Sequence, residues 1–194
     1  SYTLKLLPGE NVIKAIAFDK ENNVQSNPAV HKITAVYKEK RKPALYALVI
    51  GINEYKNPKL TLKYAVADAN LFSSTLRETA GGLFDKVEIT SLILREKSTK
   101  SNILKELNKY KELDPADVFA FYVASHGTVD EGEYFLITSN VGALSTDKLK
   151  TDAVTQKELR EAIANIPAAK KLIVIDTCNA GKLGEQLQMA MLTR

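Results

Sequence analysis

Two residues of this chain have side chains suited to nucleophilic catalysis, and each follows an apolar run that predicts a buried strand. Cys178, the single cysteine, comes shortly after the run 172–175, and His126 comes shortly after the run 118–123. The carboxyl ends of the strands in an open parallel sheet line one crevice, so these two side chains can meet although they are far apart in sequence. A thiol with an imidazole base nearby predicts a cysteine hydrolase.

A glycine stands close behind each reactive residue, Gly127 after His126 and Gly181 after Cys178. Glycine lets the backbone turn sharply and lets a substrate carbonyl come close to backbone amides. A lone cysteine beside a strand is more often inert core packing. The flanking pattern is therefore what favours a reactive thiol here.

These motifs resemble the caspase-like cysteine peptidases. Ser-His-Gly after one hydrophobic strand and Asp-x-Cys-x-x-Gly after the next are similar to the two catalytic motifs of that family. The segments YALVIGINEY (46–55) and LKYAVADANLF (62–72) resemble its first strand and first helix. The branch most resembled is that of the metacaspases and paracaspases with their bacterial relatives, and the resemblance extends over roughly residues 44–181.

The resemblance implies a His/Cys dyad. Thiolate is the attacking form, and a free cysteine with a pKa of about 8.5 supplies little of it at neutral pH, so His126 is expected to accept the proton of Cys178. The family also implies that the backbone amides of Gly127 and Cys178 bind the oxyanion of the tetrahedral intermediate. We assign no third catalytic residue, because Asn179 is adjacent to the cysteine and badly placed to orient a distant imidazole.

Two carboxylates predict the substrate preference. Asp176 lies two positions before the cysteine, where animal caspases have glutamine, and Asp68 matches the second substrate-binding acid of metacaspases and paracaspases. Carboxylates in the first subsite favour a cationic side chain through charge-assisted hydrogen bonds, which predicts cleavage after Arg or Lys. The alternatives are a solvated helix residue for Asp68 and a turn-forming carboxylate for Asp176. The acidic segment 128–133 is interpreted as a solvated loop.

Length and composition suit one domain with a sizeable core and a fragment of another, since the chain has 194 residues and 45% of them are hydrophobic. A single cysteine excludes an internal disulfide framework and suits a reducing cytosol, so we expect a cytoplasmic protein. The sequence contains no apolar stretch of about 18 residues and no signal-peptide pattern, which predicts neither a membrane span nor a leader.

The net charge of +4 is spread along the chain, with acidic residues between the basic ones. The densest basic run, residues 38–42, is interpreted as a solvated linker, so we expect no nucleic-acid partner. We also expect no cofactor and no metal, and the sequence leaves calcium dependence open.

Two regions differ in pattern. Residues 1–42 contain short alternating strands that resemble the closing strands of an immunoglobulin-like sandwich, followed by the linker, and we expect His31 to be structurally ordinary there. Residues 43–194 alternate strands and helices, which predicts an α/β domain with a mostly parallel sheet flanked by helices. The predicted strands are 46–52, 87–94, 118–124, 134–137 and 172–176, and the predicted helices are 63–79, 98–112 and 155–163. We expect the strand 134–137 to form part of a hairpin.

Only residues 182–194 follow the cysteine motif, whereas a caspase-like domain continues with further strands. We therefore expect this chain to be the large-subunit part of a precursor, with a small subunit as partner and Arg194 as the processing site. The family suggests bacterial defence or programmed cell death as the setting. A catalytically silent scaffold is the alternative, because Asn179-Ala180 stands where the family commonly has His-Ser or Arg-Gly. Another α/β hydrolase or a nucleotide-binding protein is disfavoured, because neither a G-x-S-x-G pattern nor a phosphate-binding glycine pattern is present.

Overall fold

A computed structural model describes most of the chain, and the described residues are 4, 6–20, 24–36 and 42–178. The chain divides into two compact units, Ser1–Lys42 and Pro43–Arg194. Among the described helices, none is both long and apolar enough to cross a bilayer.

The first unit contains an antiparallel pair of strands, β1 (Gly9–Ala15) and β2 (Ala29–Ala35). His31 lies on β2 opposite Ile13 and is exposed. Two strands are too few for a sandwich, which normally needs about seven, so the immunoglobulin-like assignment stays a prediction.

The second unit is built on a parallel sheet of four strands with the order β4-β3-β5-β9. Their bounds are β3 Ala44–Gly51, β4 Lys86–Leu92, β5 Val118–Ala124 and β9 Lys170–Asp176. The two central strands, β3 and β5, are buried almost throughout, and their sequences are continuous apolar runs because helices cover both faces. This architecture confirms the predicted α/β fold.

Helices pack on both faces of the sheet. Helix α1 (Ala65–Ala80) covers one face with Ala65 and Ala69. On the other face lie α2 (Lys100–Lys109) and α4 (Gln156–Ala164), which contribute the buried side chains Ile103, Leu107, Leu159 and Ile163 to the larger core cluster. Side chains of β5 alternate between the two clusters, so each strand residue is committed to one face.

Capping residues explain where these helices begin. The Thr99 hydroxyl accepts a hydrogen bond from the Asn102 N–H at the start of α2. Thr155 and Glu158 form a reciprocal capping box at the start of α4. The predicted helix over 98–112 is shorter than expected, because α2 ends at Lys109 and a 3₁₀ turn, Tyr110–Glu112, follows.

The prediction of a loop over 128–133 is wrong. Strands β6 (Gly127–Asp130) and β7 (Glu133–Leu136) form a hairpin, and β8 (Val154–Thr155) pairs with β7. The two-residue turn has positive φ at Glu131 (46°) and Gly132 (83°), as a type I′ turn requires. The segment was predicted as a loop because its residues are mostly polar or glycine. All four residues of β6 are only half-buried, so the strand carries no apolar run. Helix α3 (Thr146–Asp152) was also absent from the sequence prediction.

Candidate active site

The candidate site lies where β5 and β9 end. These strands are parallel neighbours, and Ala124 pairs with Asp176. His126 and Cys178 each stand two residues beyond that pair, so the register brings them to the same edge of the sheet. Both line one cavity of about 450 Å³.

The imidazole of His126 has a backbone partner. Its Nε2 lies 2.9 Å from the carbonyl oxygen of Leu60, the last residue of a 3₁₀ turn over Pro58–Leu60. A carbonyl oxygen only accepts hydrogen bonds, so Nε2 carries the hydrogen in this contact. In the neutral ring Nδ1 is then the free acceptor, which is the state that a general base needs.

Asn53 holds the loop that presents this carbonyl. Its side-chain oxygen accepts a hydrogen bond from the N–H of Val66 (3.1 Å), and its side-chain nitrogen donates to the carbonyl of Lys63 (3.2 Å). The backbone carbonyl of Asn53 also accepts a hydrogen bond from the N–H of Leu62 (2.9 Å). One side chain therefore joins the end of the loop to the first turn of α1 and limits how far Leu60 can move.

Tyr55 supports the backbone of His126. The phenol oxygen accepts a hydrogen bond from the His126 N–H (3.2 Å), and the two rings lie 5.4 Å apart at 46°. Burial raises the pKa of Tyr55 to about 12, with smaller opposing effects from its hydrogen bonds to His126 and Ser125. The phenol therefore stays protonated throughout the neutral range, and the His126 backbone keeps a neutral partner.

Cys178 is exposed to solvent. The residue before it, Thr177, forms a hydrogen bond with a side chain of the β6–β7 hairpin. The hydroxyls of Thr177 and Tyr134 lie 2.6 Å apart, and Tyr134 on β7 is fully buried. Burial raises the pKa of Tyr134 to about 12; the nearby Cys178 also raises it, while the hydrogen bond with Thr177 lowers it. The segment that carries the thiol is thus anchored one residue before the sulfur.

Gly127 is packed against the same segment. A Cβ atom at this position would lie 2.6 Å from the carbonyl oxygen of Cys178, which leaves no room for a side chain. Gly127 pairs with Leu136, and because the Ile137 N–H bonds to the His126 carbonyl, this is a non-hydrogen-bonded pair. The Gly127 N–H therefore points away from β7.

The two predicted substrate-binding acids line the same cavity. Asp68 lies in the first turn of α1 and Asp176 ends β9, and both are exposed. Both carboxylates affect Tyr122 on β5 electrostatically. Burial raises the pKa of its phenol, and the charges of Asp176 and Asp68 raise that pKa further. The ring of Tyr122 stacks on Phe72 at 4.5 Å, which fixes this aromatic group beside the carboxylates.

A family model described as Caspase domain, of the C14 peptidases, matches residues 44–192. The chain belongs to the caspase domain family. This confirms the resemblance to caspase-like cysteine peptidases.

One similar solved structure is the crystal structure of protein GSU0716 from Geobacter sulfurreducens, a structural genomics target. It has a TM-score of 0.54 and 20% sequence identity, and the match covers 70% of this chain and 51% of that chain. At this identity the likeness supports the fold of the caspase domain alone. The present chain thus spans about half the length of that structure. Among curated proteins, none matches the sequence.

The caspase domain contains site residues that the sequence did not reveal. The carbonyl of Leu60 and the hydroxyl of Tyr55 contact His126, and the hydroxyl of Tyr134 contacts Thr177, each from a distant part of the chain. A backbone carbonyl leaves no signature in a sequence, and both tyrosines occur in stretches that read as ordinary strand or loop.

Several predicted residues lie outside the described part of the chain. These are Asn179, Ala180, Gly181 and the processing residue Arg194. Among the residues that the structure describes, no group of three or more His, Cys, Asp or Glu side chains could hold a metal ion.

Proposed function

We propose that this caspase domain is a cysteine endopeptidase that cleaves peptide bonds after Arg or Lys. One observation carries the proposal: a single cavity is lined by a thiol, an imidazole and two carboxylates, at Cys178, His126, Asp68 and Asp176. The thiol and imidazole supply a nucleophile and a base, and the carboxylates supply the selectivity.

The reaction begins when Nδ1 of His126 takes the proton of the Cys178 thiol. The sulfur attacks the carbonyl carbon of the substrate, and a tetrahedral intermediate forms whose oxygen is negatively charged. Backbone N–H groups of Gly127 and Cys178 stabilise that oxygen. The orientation of the Gly127 N–H, away from β7, supports this role.

The intermediate then collapses. The carbon–nitrogen bond breaks, the leaving amine takes the proton from His126, and a thioester joins the acyl fragment to Cys178. A water molecule, deprotonated by His126, attacks the thioester and releases the acid with the thiol restored. Throughout, the hydrogen bond from Nε2 to Leu60 keeps Nδ1 directed to the proton that moves.

We attribute selectivity for a basic residue to the two carboxylates of the cavity, whose lining also includes Lys63. Asp68 and Asp176 approach the cavity from two different elements, the first turn of α1 and the end of β9. A guanidinium or ammonium group between two carboxylates gains charge-assisted hydrogen bonds, whereas a substrate aspartate is repelled.

Fluorogenic peptides that differ only in the residue before the scissile bond test this function. We expect hydrolysis after Arg and Lys, no hydrolysis after Asp, and no turnover by Cys178→Ala with its fold intact. Efficient cleavage after Asp would overturn the specificity. Binding of peptide without turnover, together with equal behaviour of wild type and Cys178→Ala, would instead favour a silent scaffold.

We further propose that the enzyme matures by cleavage after Arg194 and works with a small subunit from the same precursor in the cytoplasm, as a metacaspase-like enzyme of bacterial defence. Arg194 is the residue type that the two carboxylates accept. Strand β9 forms the edge of the described sheet, which suits pairing with a further strand. Intact-mass measurement of wild type, Arg194→Ala and Cys178→Ala tests processing, since only the wild type should be cut there.

A further inference from the structure

A buried tyrosine lies beside the nucleophile, and neither the dyad nor the two carboxylates accounts for it. Tyr134 is fully buried on β7, and its hydroxyl lies 2.6 Å from the Thr177 hydroxyl. A buried phenol usually needs a hydrogen-bond partner. Here the partner is the residue that directly precedes Cys178, so the hairpin is connected to the nucleophile segment through two side chains.

Gly127 completes a compact cluster around this hydrogen bond. A Cβ atom at Gly127 would lie 2.6 Å from the Tyr134 hydroxyl and 2.9 Å from that of Thr177. The hairpin and the segment that carries Cys178 therefore meet at this cluster, which lies next to the proposed oxyanion donors, the backbone amides of Gly127 and Cys178. If either hydroxyl is lost, the contact that sets the position of the segment relative to Gly127 is lost too.

We propose that Tyr134 is a positioning residue that acts through the Thr177 hydroxyl to hold Cys178 in place against Gly127 and His126. The inference rests on the proposed peptidase function. Donors for a developing oxyanion stabilise it only when they are held in place beforehand, and small displacements of catalytic groups reduce rates steeply. We expect loss of the hydrogen bond to lower kcat by about 10-fold, with KM changed by less than about 2-fold.

The variants are chosen to remove one hydroxyl at a time. Tyr134→Phe and Thr177→Val each keep the shape of the side chain, and the double variant measures whether the two act together. Thr177→Ser keeps the hydroxyl that Thr177→Val removes. The matched control is Tyr110→Phe, because Tyr110 is also buried and its hydroxyl also bonds to a threonine, Thr90 on β4.

A second measurement does not depend on peptide hydrolysis. The rate of Cys178 alkylation by iodoacetamide is followed by mass spectrometry on the tryptic peptide 172–182 of the full-length protein. A thiol displaced from the imidazole has less thiolate, so alkylation at neutral pH should slow several-fold in Tyr134→Phe and in Thr177→Val.

Support requires that kcat or the alkylation rate falls in both single variants, falls little further in the double variant, recovers in Thr177→Ser and is unaffected in Tyr110→Phe. Any other pattern overturns the positioning role. If the wild type hydrolyses no basic peptide, the proposed function fails, and the alkylation rates alone then decide whether Tyr134 positions the thiol.

Discussion

Strands β5 and β9 lie side by side and each leads to one reactive side chain, yet the sheet holds them differently. β5 has neighbours on both sides, and six of its seven residues are buried. β9 has β5 as its neighbour in the described sheet, and none of its seven residues is buried. His126 therefore follows a strand fixed by the core, whereas Cys178 follows a strand at the edge of the described sheet.

This difference shows why the two ends of the site need different supports. The Ser125 N–H donates to the carbonyl of Asp176 (3.2 Å), which joins the ends of the two strands. Beyond that point Thr177 is held by Tyr134, a side chain from another sheet. The buried strand β5, with polar contacts from Tyr55 and Leu60, positions His126. The segment of Cys178 follows an exposed strand and depends on the hydrogen bond between Tyr134 and Thr177.

The largest expected effect comes from removing the proposed base, His126, which follows the buried strand β5. His126→Ala should reduce kcat/KM for an arginyl peptide by about 10²–10⁴-fold, because acid–base assistance is lost. The unfolding midpoint in urea should change little, since the side chain is only half-buried. Turnover within 2-fold of wild type would show that another group is the base.

Truncating one side chain on each strand tests how differently β5 and β9 are packed. Phe121 on β5 is fully buried, so Phe121→Ala should lower the free energy of unfolding by about 3–5 kcal/mol. Leu172 on β9 is 48% exposed, and Leu172→Ala should cost less than about 1 kcal/mol. Urea titration measures both. Equal losses would mean that β9 is as deeply packed as β5 in the assembled enzyme.

At the edge strand, the carboxylate is expected to matter for binding more than for stability. Asp176→Ala should lower kcat/KM for arginyl peptides by roughly 10–100-fold, because a hydrogen bond to a charged group is lost, at a cost of about 1.5–3 kcal/mol. The exposed Glu161 on α4 provides the control, and Glu161→Ala should leave the rate unchanged. An unchanged ratio of arginyl to neutral peptide turnover in Asp176→Ala would contradict the subsite assignment.

The smallest effect on rate is expected at Tyr55, which supports the backbone of the proposed base, His126. Tyr55→Phe removes the acceptor of the His126 N–H but keeps the ring, so the free energy of unfolding should fall by about 1–3 kcal/mol. Turnover should fall only a few-fold, because the Leu60 carbonyl still orients the imidazole. A loss of rate as large as in His126→Ala would show that Tyr55 takes part in the chemistry itself.

Much of the fold could be predicted from the sequence because its central strands are continuous apolar runs. The strand predicted over 118–124 is β5 without change, and Thr155 marks the start of a helix as expected. The strand predicted over 134–137 as part of a hairpin corresponds to β7, but its partner β6 was predicted as loop. The residues of β6 are half-buried and mostly polar or glycine, and the strand preference of such residues depends on what covers them. Helix α3 was missed because it is short and largely polar.

Within the candidate site, the sequence alone provides the residue types, a thiol, an imidazole and two carboxylates, and it places the thiol, the imidazole and Asp176 at or just beyond strand ends and Asp68 on a helix. The tertiary structure decided what contacts them. Pairing of Ala124 with Asp176 brings the two strand ends together, and chain folding brings the Leu60 carbonyl to the imidazole of His126. It also brings the Tyr134 hydroxyl to Thr177. The physical reason is that local patterns record burial and periodicity, whereas a single hydrogen bond between distant segments depends on register and packing that no short stretch of sequence contains.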